Sequence, residues 1–236
     1  MNVAVIQART GSSRLPGKVL LPLAGAPVLA HVVARARAVP GVEAVCCAIP
    51  DGARDDALAE VAAGLGAVVV RGSETDVLER YRQAARATDA RAVMRITSDC
   101  PLFDPEVGGR VLAAFAAGGF DYCSNLEPRS WPKGLDCEVF SREALERAAD
   151  AATDAYDREH VTPWLRRSPE VRRGTVALCS QDCAAWRWTL DHPEDFAFFE
   201  AVMTRLPPWP ALPGFAQVRA VIEAEPALAD VNAHLV

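Results

Sequence analysis

The composition lacks the features of a membrane-spanning or nucleic-acid-binding protein. No apolar run approaches the roughly 20 residues that a transmembrane helix requires, so no membrane contact is expected. Basic residues are not in excess, because the net charge at pH 7 is −6. Nucleic acid is held through its phosphates by basic surfaces, and a mildly acidic chain therefore argues against a nucleic-acid partner.

The cysteines show no pattern typical of disulfides or of a metal site. Their number, seven, is odd, and no signal peptide precedes Met1, so a reducing cytoplasm is the expected compartment. Three residues separate Cys179 from Cys183, but no second Cys or His pair lies near them. Structural zinc sites usually need such a second pair, and buried free thiols are predicted instead.

Two common nucleotide-binding motifs are absent as well. Five residues separate Gly11 from Gly17, one more than the P-loop allows, and Val19 stands where that motif needs Ser or Thr. The Rossmann fingerprint requires a glycine triplet after the first strand, and none follows residues 3–6. Pro16 would also interrupt the helix that should begin there.

Residues 6–18, IQARTGSSRLPGK, nevertheless have the chemistry of a phosphate-binding loop. Glycines let the main chain approach phosphate oxygens, while backbone N–H groups and serine hydroxyls donate to them. Arg9, Arg14 and Lys18 add three positive charges, which predicts a nucleoside triphosphate as the ligand. They would stabilise the charge that develops at the α-phosphorus. Each alone has the simpler explanation of an exposed surface charge, and only their clustering with Gly and Ser favours phosphate binding.

Short β-branched runs alternate with segments of helical periodicity, which predicts an α/β protein with a mostly parallel sheet and crossover helices. The predicted strands are residues 2–8, 44–49, 68–71, 92–97, 120–123, 137–140 and 186–190. The predicted helices are residues 27–40, 55–65, 76–88 and 104–118, one that begins after residue 141, residues 156–167, and a last one that ends near residue 225. Residues 125–134 are predicted to form a surface loop over the site that selects the acceptor.

We expect one domain over residues 1–236. Residues 207–213 contain four prolines and form the only linker-like segment. Residues 207–236 are therefore predicted to be a C-terminal arm that packs back on the core.

Two acidic residues follow predicted strands and are candidates for a magnesium site. Asp99 follows residues 92–97 and precedes Pro101, which holds it at the carboxyl edge of the sheet. Asp191 comes directly after residues 186–190. Mg²⁺ usually binds one or two carboxylates together with substrate phosphates and water. Each residue has the simpler explanation of a turn or cap.

The segments that carry chemistry resemble those of the sugar cytidylyltransferases, which include the CMP-sialate and CMP-ketodeoxyoctonate synthetases. The resemblance is stronger to the spore-coat-polysaccharide branch and covers nearly the whole chain. It rests, in order along the chain, on residues 7–18 and the segments RGS (71–73), RITSDCPL (95–102), GLDCEVF (134–140), REHVTP (158–163) and RWTLDHPED (187–195). Guanylyl- and thymidylyl-transferring relatives open with a Gly-Gly pair where this chain has Ala8-Arg9, which favours cytidine.

The resemblance implies a Rossmann-like three-layer α/β/α nucleotidyltransferase fold and transfer of CMP from CTP, with release of pyrophosphate. It implies Asp99 and Asp191 as Mg²⁺ ligands, and Arg9, Arg14 and Lys18 as catalytic. The nucleotide-binding candidates are Ala8, Arg9, Gly11, Ser12, Ser13, Arg14, Lys18, Arg71, Ser73, Arg95 and Ser98. The acceptor-binding candidates are Arg129, Lys133, Asp136, Glu138, Glu159 and His160.

Several of these residues keep a second explanation. Arg71 is equally explained as a strand-ending residue in a solvated turn. Arg95 interrupts an apolar strand and needs a partner, either the triphosphate or a carboxylate such as Asp99. His160 fits a packing residue, and the other acceptor candidates fit a structural polar network.

The acceptor is expected to be a small acidic molecule, either a sugar acid or a phosphate or phosphonate. An attacking hydroxyl would need a general base such as Asp136 or a metal-bound hydroxide, whereas an ionised phosphate oxygen would need none. A homodimer is expected, because Trp164, Trp186 and Trp188 suit a dimer face as well as a core. A retaining glycosyltransferase is the alternative, although the Asp-x-Asp pair typical of that class is missing at Asp99. A non-catalytic nucleotide sensor is a third hypothesis.

Overall fold

A seven-stranded, mostly parallel sheet forms the centre of the protein in a computed structural model, which describes residues 1–177 and 183–235. Cys179 lies outside the described residues, Cys183 is buried, and the free, buried thiols include Cys46, Cys47, Cys100, Cys123 and Cys137. The strands are β1 (Asn2–Gln7), β2 (Pro22–Leu23), β3 (Ala26–Pro27), β4 (Ala44–Pro50), β5 (Val68–Gly72), β6 (Ala92–Thr97), β7 (Tyr122–Ser124), β8 (Glu138–Ser141) and β9 (Arg173–Thr175). Strands β2 and β3 pair separately as a small antiparallel hairpin.

The strands of the main sheet follow the order β5-β4-β1-β6-β8-β7-β9. β8 runs antiparallel to both of its neighbours, and the other neighbouring pairs are parallel. Residues 3–6 of β1 are fully buried on both faces, as expected of a central strand covered by helices on both sides. The carboxyl ends of β1, β4, β5 and β6 therefore meet at one edge.

Helices cover both faces of this sheet. They are α1 (Val28–Ala38), α2 (Asp56–Gly64), α3 (Val77–Ala87), α4 (Pro105–Gly118), α5 (Arg142–Ala151), α6 (Ala155–His160), α7 (Pro163–Arg167), α8 (Pro193–Met203), α9 (Phe215–Ala224) and α10 (Ala227–Asp230). Short 3-10 turns lie at Lys18–Leu20, Ala53–Asp55 and Ala233–Leu235. Within the described part of the chain, no helix is both long and apolar enough to cross a bilayer.

The two faces of the sheet bury separate apolar clusters. Helices α1, α2 and α4 pack on one face through residues such as Val32, Leu58 and Val111. Helices α3, α5 and α7 pack on the other, where Leu78 and Leu145 are fully buried. The predicted three-layer α/β/α arrangement is therefore confirmed.

Local signals in the sequence account for several helix ends. The Asp104 carboxylate caps α4 by accepting from Val107 N at 2.9 Å, and Pro105 occupies the first turn, where it loses no hydrogen bond. Gly119, with φ +60°, ends that helix in the left-handed conformation. The Ser141 hydroxyl caps α5 through Ala144 N at 3.0 Å.

The described part of the C-terminal segment, residues 207–235, contributes buried apolar side chains. Val218, Ile222 and Leu228 are buried in a third apolar cluster with Trp131 and Trp188. Helices α8, α9 and α10 contact one another there. The division of the chain into domains stays a prediction.

Two element predictions are wrong. Residues 186–190 do not form a strand, because their pairing is limited to one bridge between Arg187 and Lys133. The predicted helix over residues 156–167 is two short helices, α6 and α7. The chain breaks between them at Val161, where φ is +71°, and Pro163 then begins α7. Strand β9 and helix α8 were not predicted.

The loop over residues 125–134 is anchored more deeply than a surface loop. Trp131 is 2% exposed and packs edge-on against Phe215 of α9, with ring centroids 5.3 Å apart. A large aromatic side chain gains most by leaving water, which draws the middle of the loop into the third cluster. Gly134 has φ +113°, and a Cβ there would lie 2.0 Å from Trp188 O, so this crossing requires glycine.

Candidate active site

The loop that follows β1 has a fixed shape because its own polar groups and Asp55 hold it. Thr10 donates to Asp55 Oδ1 through its backbone N at 2.7 Å and its Oγ1 at 2.8 Å. Gly17 N donates to Thr10 O at 3.1 Å and closes the loop, with Gly17 at φ +68°. Leu15 N donates to Ser12 Oγ at 3.2 Å. The basic residues of this loop are therefore carried on a preformed turn.

A cavity of about 270 Å³ lies at the carboxyl edge of the sheet, beside this loop. It brings together most of the predicted phosphate-binding residues, both predicted metal ligands, and two predicted acceptor residues. The lining residues are Gln7, Ala8, Arg9, Gly11, Ser12, Ser13, Arg14, Lys18, Val77, Arg80, Thr97, Ser98, Asp99, Glu159, His160 and Asp191. We call it the nucleotide cavity.

Lys18 joins the two predicted metal ligands. Its Nζ donates to Asp191 Oδ1 at 2.9 Å and to Leu190 O at 2.7 Å, and it lies 3.4 Å from Asp99 Oδ2. A backbone hydrogen bond from Leu190 N to Asp99 O, 2.8 Å long, brings the two aspartates together. Residues 18, 99 and 191, widely separated in sequence, therefore meet at one point.

Asp191 is surrounded by positive charge. Burial opposes its ionisation, but the hydrogen bond and charge of Lys18, the Arg14 guanidinium at 2.9 Å and Arg187 outweigh that effect. The pKa of Asp191 is consequently lower than the ordinary 3.8. The carboxylate is ionised at neutral pH and can ligate a cation.

A buried network holds Asp191 in place. Asp195 is fully buried, pairs with Arg187 at 2.7 and 2.8 Å, and accepts from Asp191 N at 2.8 Å. The Arg187 Nη2 that donates to Asp195 also donates to Asp191 Oδ2 at 3.2 Å. Asn232, near the end of the described chain, donates to Asp195 Oδ1 at 2.9 Å and to Arg187 O at 3.1 Å. Sequence reasoning missed Arg187, Asp195 and Asn232.

Two further residues that sequence reasoning missed face the nucleotide cavity. Arg80 lies on α3 and is 2% exposed, and its Nε and Nη1 have no hydrogen-bond partner. Gln7, at the end of β1, has a buried Oε1 without a partner. An arginine on the apolar face of a helix, between Val77 and Tyr81, is the signal that would have indicated Arg80.

Arg71 and Ser73 are not among the described residues that line this cavity. Arg71 donates to Pro50 O at 2.6 Å and Gly52 O at 2.9 Å, and its Nη2 lies 3.0 Å from Asp56 Oδ1. Ser73 Oγ accepts from Asp76 N at 3.0 Å at the start of α3. In this structure both residues shape the turn after β5.

A second cavity of about 230 Å³ adjoins the first, and Thr97 and His160 line both. Its walls include Arg95, Leu126, Asp136, Glu138, Tyr156, Thr162, Pro163 and Arg166. We call it the acceptor cavity. It holds three of the predicted acceptor residues, Asp136, Glu138 and His160, whereas Glu159 lines the nucleotide cavity.

Arg95 finds its partner in this second cavity. Its Nη1 lies 2.6 Å from Glu138 Oε2, while Tyr122 Oη donates to Glu138 Oε1 at 2.6 Å. The Arg95 partner is thus a carboxylate, but neither Asp99 nor a residue close in sequence. Both oxygens of Glu138 are already hydrogen-bonded, which makes that residue a structural support of the cavity.

Asp136 has an environment different from that of Asp191. Its Oδ1 accepts from Arg129 at 2.9 Å, and the side chain is about one-third exposed. Burial raises the pKa of Asp136 above its ordinary value, against the lowering effect of Arg129. Lys133 is not among the described residues of either cavity, since its backbone pairs with Trp186 and Trp188.

The donor set at Lys18 fits a divalent cation that is bound mainly through substrate. Asp99 and Asp191 offer two carboxylates, which agrees with the one or two that Mg²⁺ usually takes from a protein. Among residues 1–177 and 183–235, no group of three or more His, Cys, Asp or Glu is arranged to hold a metal by itself. Phosphate oxygens and water would have to complete the coordination.

Known proteins with similar sequences and structures include cytidylyltransferases. The profile of the cytidylyltransferase family matches residues 3–222. The spore coat polysaccharide biosynthesis protein SpsF of Bacillus subtilis is 33% identical over 206 residues, which cover 84% of each chain. A 3-deoxy-manno-octulosonate cytidylyltransferase of an Anaeromyxobacter species is 37% identical over 82% of this chain and 75% of its own.

A solved structure agrees over almost the whole length. A cytidylyltransferase from Leptospira borgpetersenii superposes with a TM-score of 0.90 and 27% identity, covering 97% of this chain and 96% of that one. The resemblance read from the sequence is therefore confirmed. The chain belongs to the cytidylyltransferase family and is a CTP-dependent nucleotidyltransferase.

Proposed function

We propose that the protein transfers CMP from CTP to an acidic sugar or to an acceptor with a phosphate or phosphonate group. The reaction releases pyrophosphate, depends on Mg²⁺ and serves surface polysaccharide or related biosynthesis. The observation that carries this proposal is the position of Lys18. Its Nζ lies within 3.4 Å of the carboxylates of both Asp99 and Asp191. The two named relatives, one tied to spore coat polysaccharide and one to a sugar acid, support the acceptor class.

The loop residues bind and orient the triphosphate. Arg9, Arg14 and Lys18 line one cavity with the backbone of the Gly- and Ser-containing loop, so positive charge faces the departing pyrophosphate. Asp99 and Asp191 would hold Mg²⁺, which when bound supplies charge stabilisation at the phosphates. Because the loop is already ordered by Asp55, little reorganisation is needed when the nucleotide binds.

The acceptor binds in the acceptor cavity, and its attacking oxygen reaches the nucleotide from that adjoining side. Arg166 and His160 line this cavity and suit an acidic group of the acceptor. Asp136 is the proposed general base when the attacking group is a hydroxyl, because a raised pKa makes a carboxylate a better proton acceptor. Arg129 holds Asp136 in position.

The proposal also covers domain organisation, oligomeric state, location and further substrate contacts. A single domain over residues 1–236 is proposed from the length of the chain. A homodimer is proposed with the half-buried Trp164 at its face, because Trp188 is buried and stacks on Trp186 at 5.9 Å, which accounts for those two rings without a dimer face. A cytoplasmic location is proposed from the free, buried thiols. Arg71, Ser73 and Lys133 stay candidates for substrate contact.

The test is pyrophosphate release from each of the four nucleoside triphosphates, with Mg²⁺, against a panel of sugar acids, sugar phosphates and phosphonates. We expect turnover with CTP and at least one acidic acceptor. Lys18→Ala and Asp99→Ala should each lower kcat/KM by about 10²- to 10³-fold, as the loss of one electrostatic contact to a transition state does. Asp150→Ala, an exposed carboxylate far from the cavity, is the matched control.

The outcomes separate the alternatives. Wild-type rates in both variants would show that the reaction does not use this cavity. Release of a nucleoside diphosphate or monophosphate instead of pyrophosphate would indicate glycosyl transfer. Binding of CTP without turnover across the whole panel would indicate a nucleotide sensor.

A further inference from the structure

Arg80 is a buried cation whose side chain is not neutralised. Its Nε and Nη1 are shielded from solvent and have no hydrogen-bond partner, and none of the described carboxylates forms an ion pair with it. A desolvated charge in this condition opposes folding. Such a residue is usually retained for contact with something outside the chain.

The two other buried arginines behave differently. Arg35 also has a buried Nε without a partner, but its Nη1 donates to Phe103 O at 3.1 Å and to Pro213 O at 3.0 Å, which ties α1 to the C-terminal segment. Arg187 is paired with Asp195 on two nitrogens. Both therefore have structural roles that the fold itself explains, and Arg80 does not.

The surroundings of Arg80 indicate the kind of ligand. It lines the nucleotide cavity together with Arg9, Lys18 and the loop backbone, but it is not among the residues of the acceptor cavity. Burial lowers the pKa of Arg80 and the charge of Arg9 lowers it further, whereas Tyr81 and the carboxylates of Asp55 and Glu74 raise it without forming an ion pair with it. A cation placed near another cation in a desolvated site is stabilised by an anion that both can reach. Cytosine and ribose are neutral, so the phosphates are the part of CTP that fits.

We propose that Arg80 binds a phosphate oxygen of the nucleotide and is a fourth positively charged contact of the triphosphate, beyond Arg9, Arg14 and Lys18. This rests on the proposed function of the cavity. The planar guanidinium presents parallel N–H groups that match two phosphate oxygens, a geometry that lysine does not offer. Arg80 comes from α3, on the opposite side of β1 from the helices that pack against the loop, so it reaches the phosphates from a second direction.

The test replaces Arg80 by methionine, which has similar length without charge, and measures Mg²⁺-dependent CTP binding by calorimetry. The Kd for CTP should rise at least tenfold in Arg80→Met. The Ki of tripolyphosphate, measured by displacement of CTP, should rise by a similar factor. The ligand-free variant should melt at the same temperature as the wild type or higher, because an unpaired buried charge has been removed. Arg86→Met is the matched control, since Arg86 lies on the same helix and is paired with Glu146 at 2.6 Å.

Three results would overturn the proposal. One is an unchanged CTP affinity in Arg80→Met. Another is a loss of CTP affinity without any loss for tripolyphosphate, because the contact would then be to the nucleoside. The third is a lower melting temperature with unchanged CTP affinity, which would show a structural role. If the wild type binds a different triphosphate instead of CTP and Arg80→Met weakens that one, the phosphate contact stands while the assignment to CTP fails.

Discussion

At the scale of single residues, two aspartates of the site differ in pKa because their surroundings differ. Cations draw the pKa of Asp191 below its ordinary value despite burial, whereas burial raises the pKa of Asp136 despite Arg129. A carboxylate that stays ionised suits a metal ligand, and one with a raised pKa suits a proton acceptor. The two roles thus follow from environment and not from residue type.

This contrast predicts a pH dependence. Asp136 must be ionised to accept a proton, so kcat/KM should rise with pH through its pKa, which lies above 3.8. With a hydroxyl acceptor, Asp136→Asn should lower kcat by about 10²-fold and remove this acid limb. The check is a pH profile of kcat/KM for the wild type and the variant.

A second variant tests whether Asp136 causes the acid limb of the pH profile. Arg129 lowers the pKa of Asp136, so Arg129→Gln should move the acid limb to higher pH without abolishing it. A limb that persists in Asp136→Asn would assign the base to another residue. A wild-type profile without any acid limb would indicate an acceptor oxygen that is already ionised.

At the scale of elements, one carboxylate fixes the ends of two helices. Asp104 Oδ1 caps α4 through Val107 N, and Asp104 Oδ2 accepts from Phe215 N at the start of α9. The side chain is 3% exposed and has its two oxygens in use. It therefore links the helix that follows Asp99 to the C-terminal arm.

Loss of this double cap should lower the stability of the protein. Asp104→Ala should lower the free energy of unfolding by about 2–3 kcal/mol, because each cap contributes about 1 kcal/mol and the freed N–H groups are largely buried. The measurement is urea denaturation followed by circular dichroism. Asp154→Ala, which removes one exposed cap at Tyr156 N, should cost only about 1 kcal/mol. Equal losses of unfolding free energy in Asp104→Ala and Asp154→Ala would contradict the double cap at Asp104.

At the scale of the whole molecule, the C-terminal arm reaches the side of the site where we propose that the metal binds. Asn232 contacts Asp195 and Arg187, Arg187 contacts Asp191, and Asp191 contacts Lys18. This chain of hydrogen bonds runs from the last described residues to the phosphate loop. The arm is thus a positioning element for the carboxylate and not only a cover for the third apolar cluster.

Removal of this support should change metal use as well as stability. Asn232→Ala should destabilise the protein by about 1–2 kcal/mol, through the loss of two buried hydrogen bonds. The Mg²⁺ concentration for half-maximal activity should rise several-fold, because mutation of groups that orient a ligand commonly weakens metal binding. A magnesium titration of pyrophosphate release measures this.

The control for this prediction is His234→Ala, an exposed side chain in the same terminal segment. It should leave both stability and the magnesium requirement unchanged. A destabilised Asn232→Ala with the wild-type magnesium requirement would limit Asn232 to a packing role.

The incorrect strand prediction at residues 186–190 has its cause in distant partners. Residues 186–190 look like a strand because they are apolar and carry two tryptophans, yet their backbone groups bond to Lys133 and Asp99 in place of a neighbouring strand. Helix α8 carried ordinary start signals, with Pro193 in its first turn and two acids after it. These local signals are sufficient to predict a helix that begins directly after His192.

The sequence alone determined the alternation of strands and helices, the phosphate-binding loop and the helix caps at Asp104 and Ser141, because these depend on residues close together in the chain. The resemblance to the sugar cytidylyltransferases indicated Asp99 and Asp191 as a pair of metal ligands. Tertiary structure alone decided that Lys18 joins them, that Glu138 neutralises Arg95, and that Nε and Nη1 of Arg80 have no hydrogen-bond partner. Backbone periodicity and capping are local, whereas the pairing of charges depends on which distant segments the packed sheet brings within a few ångströms.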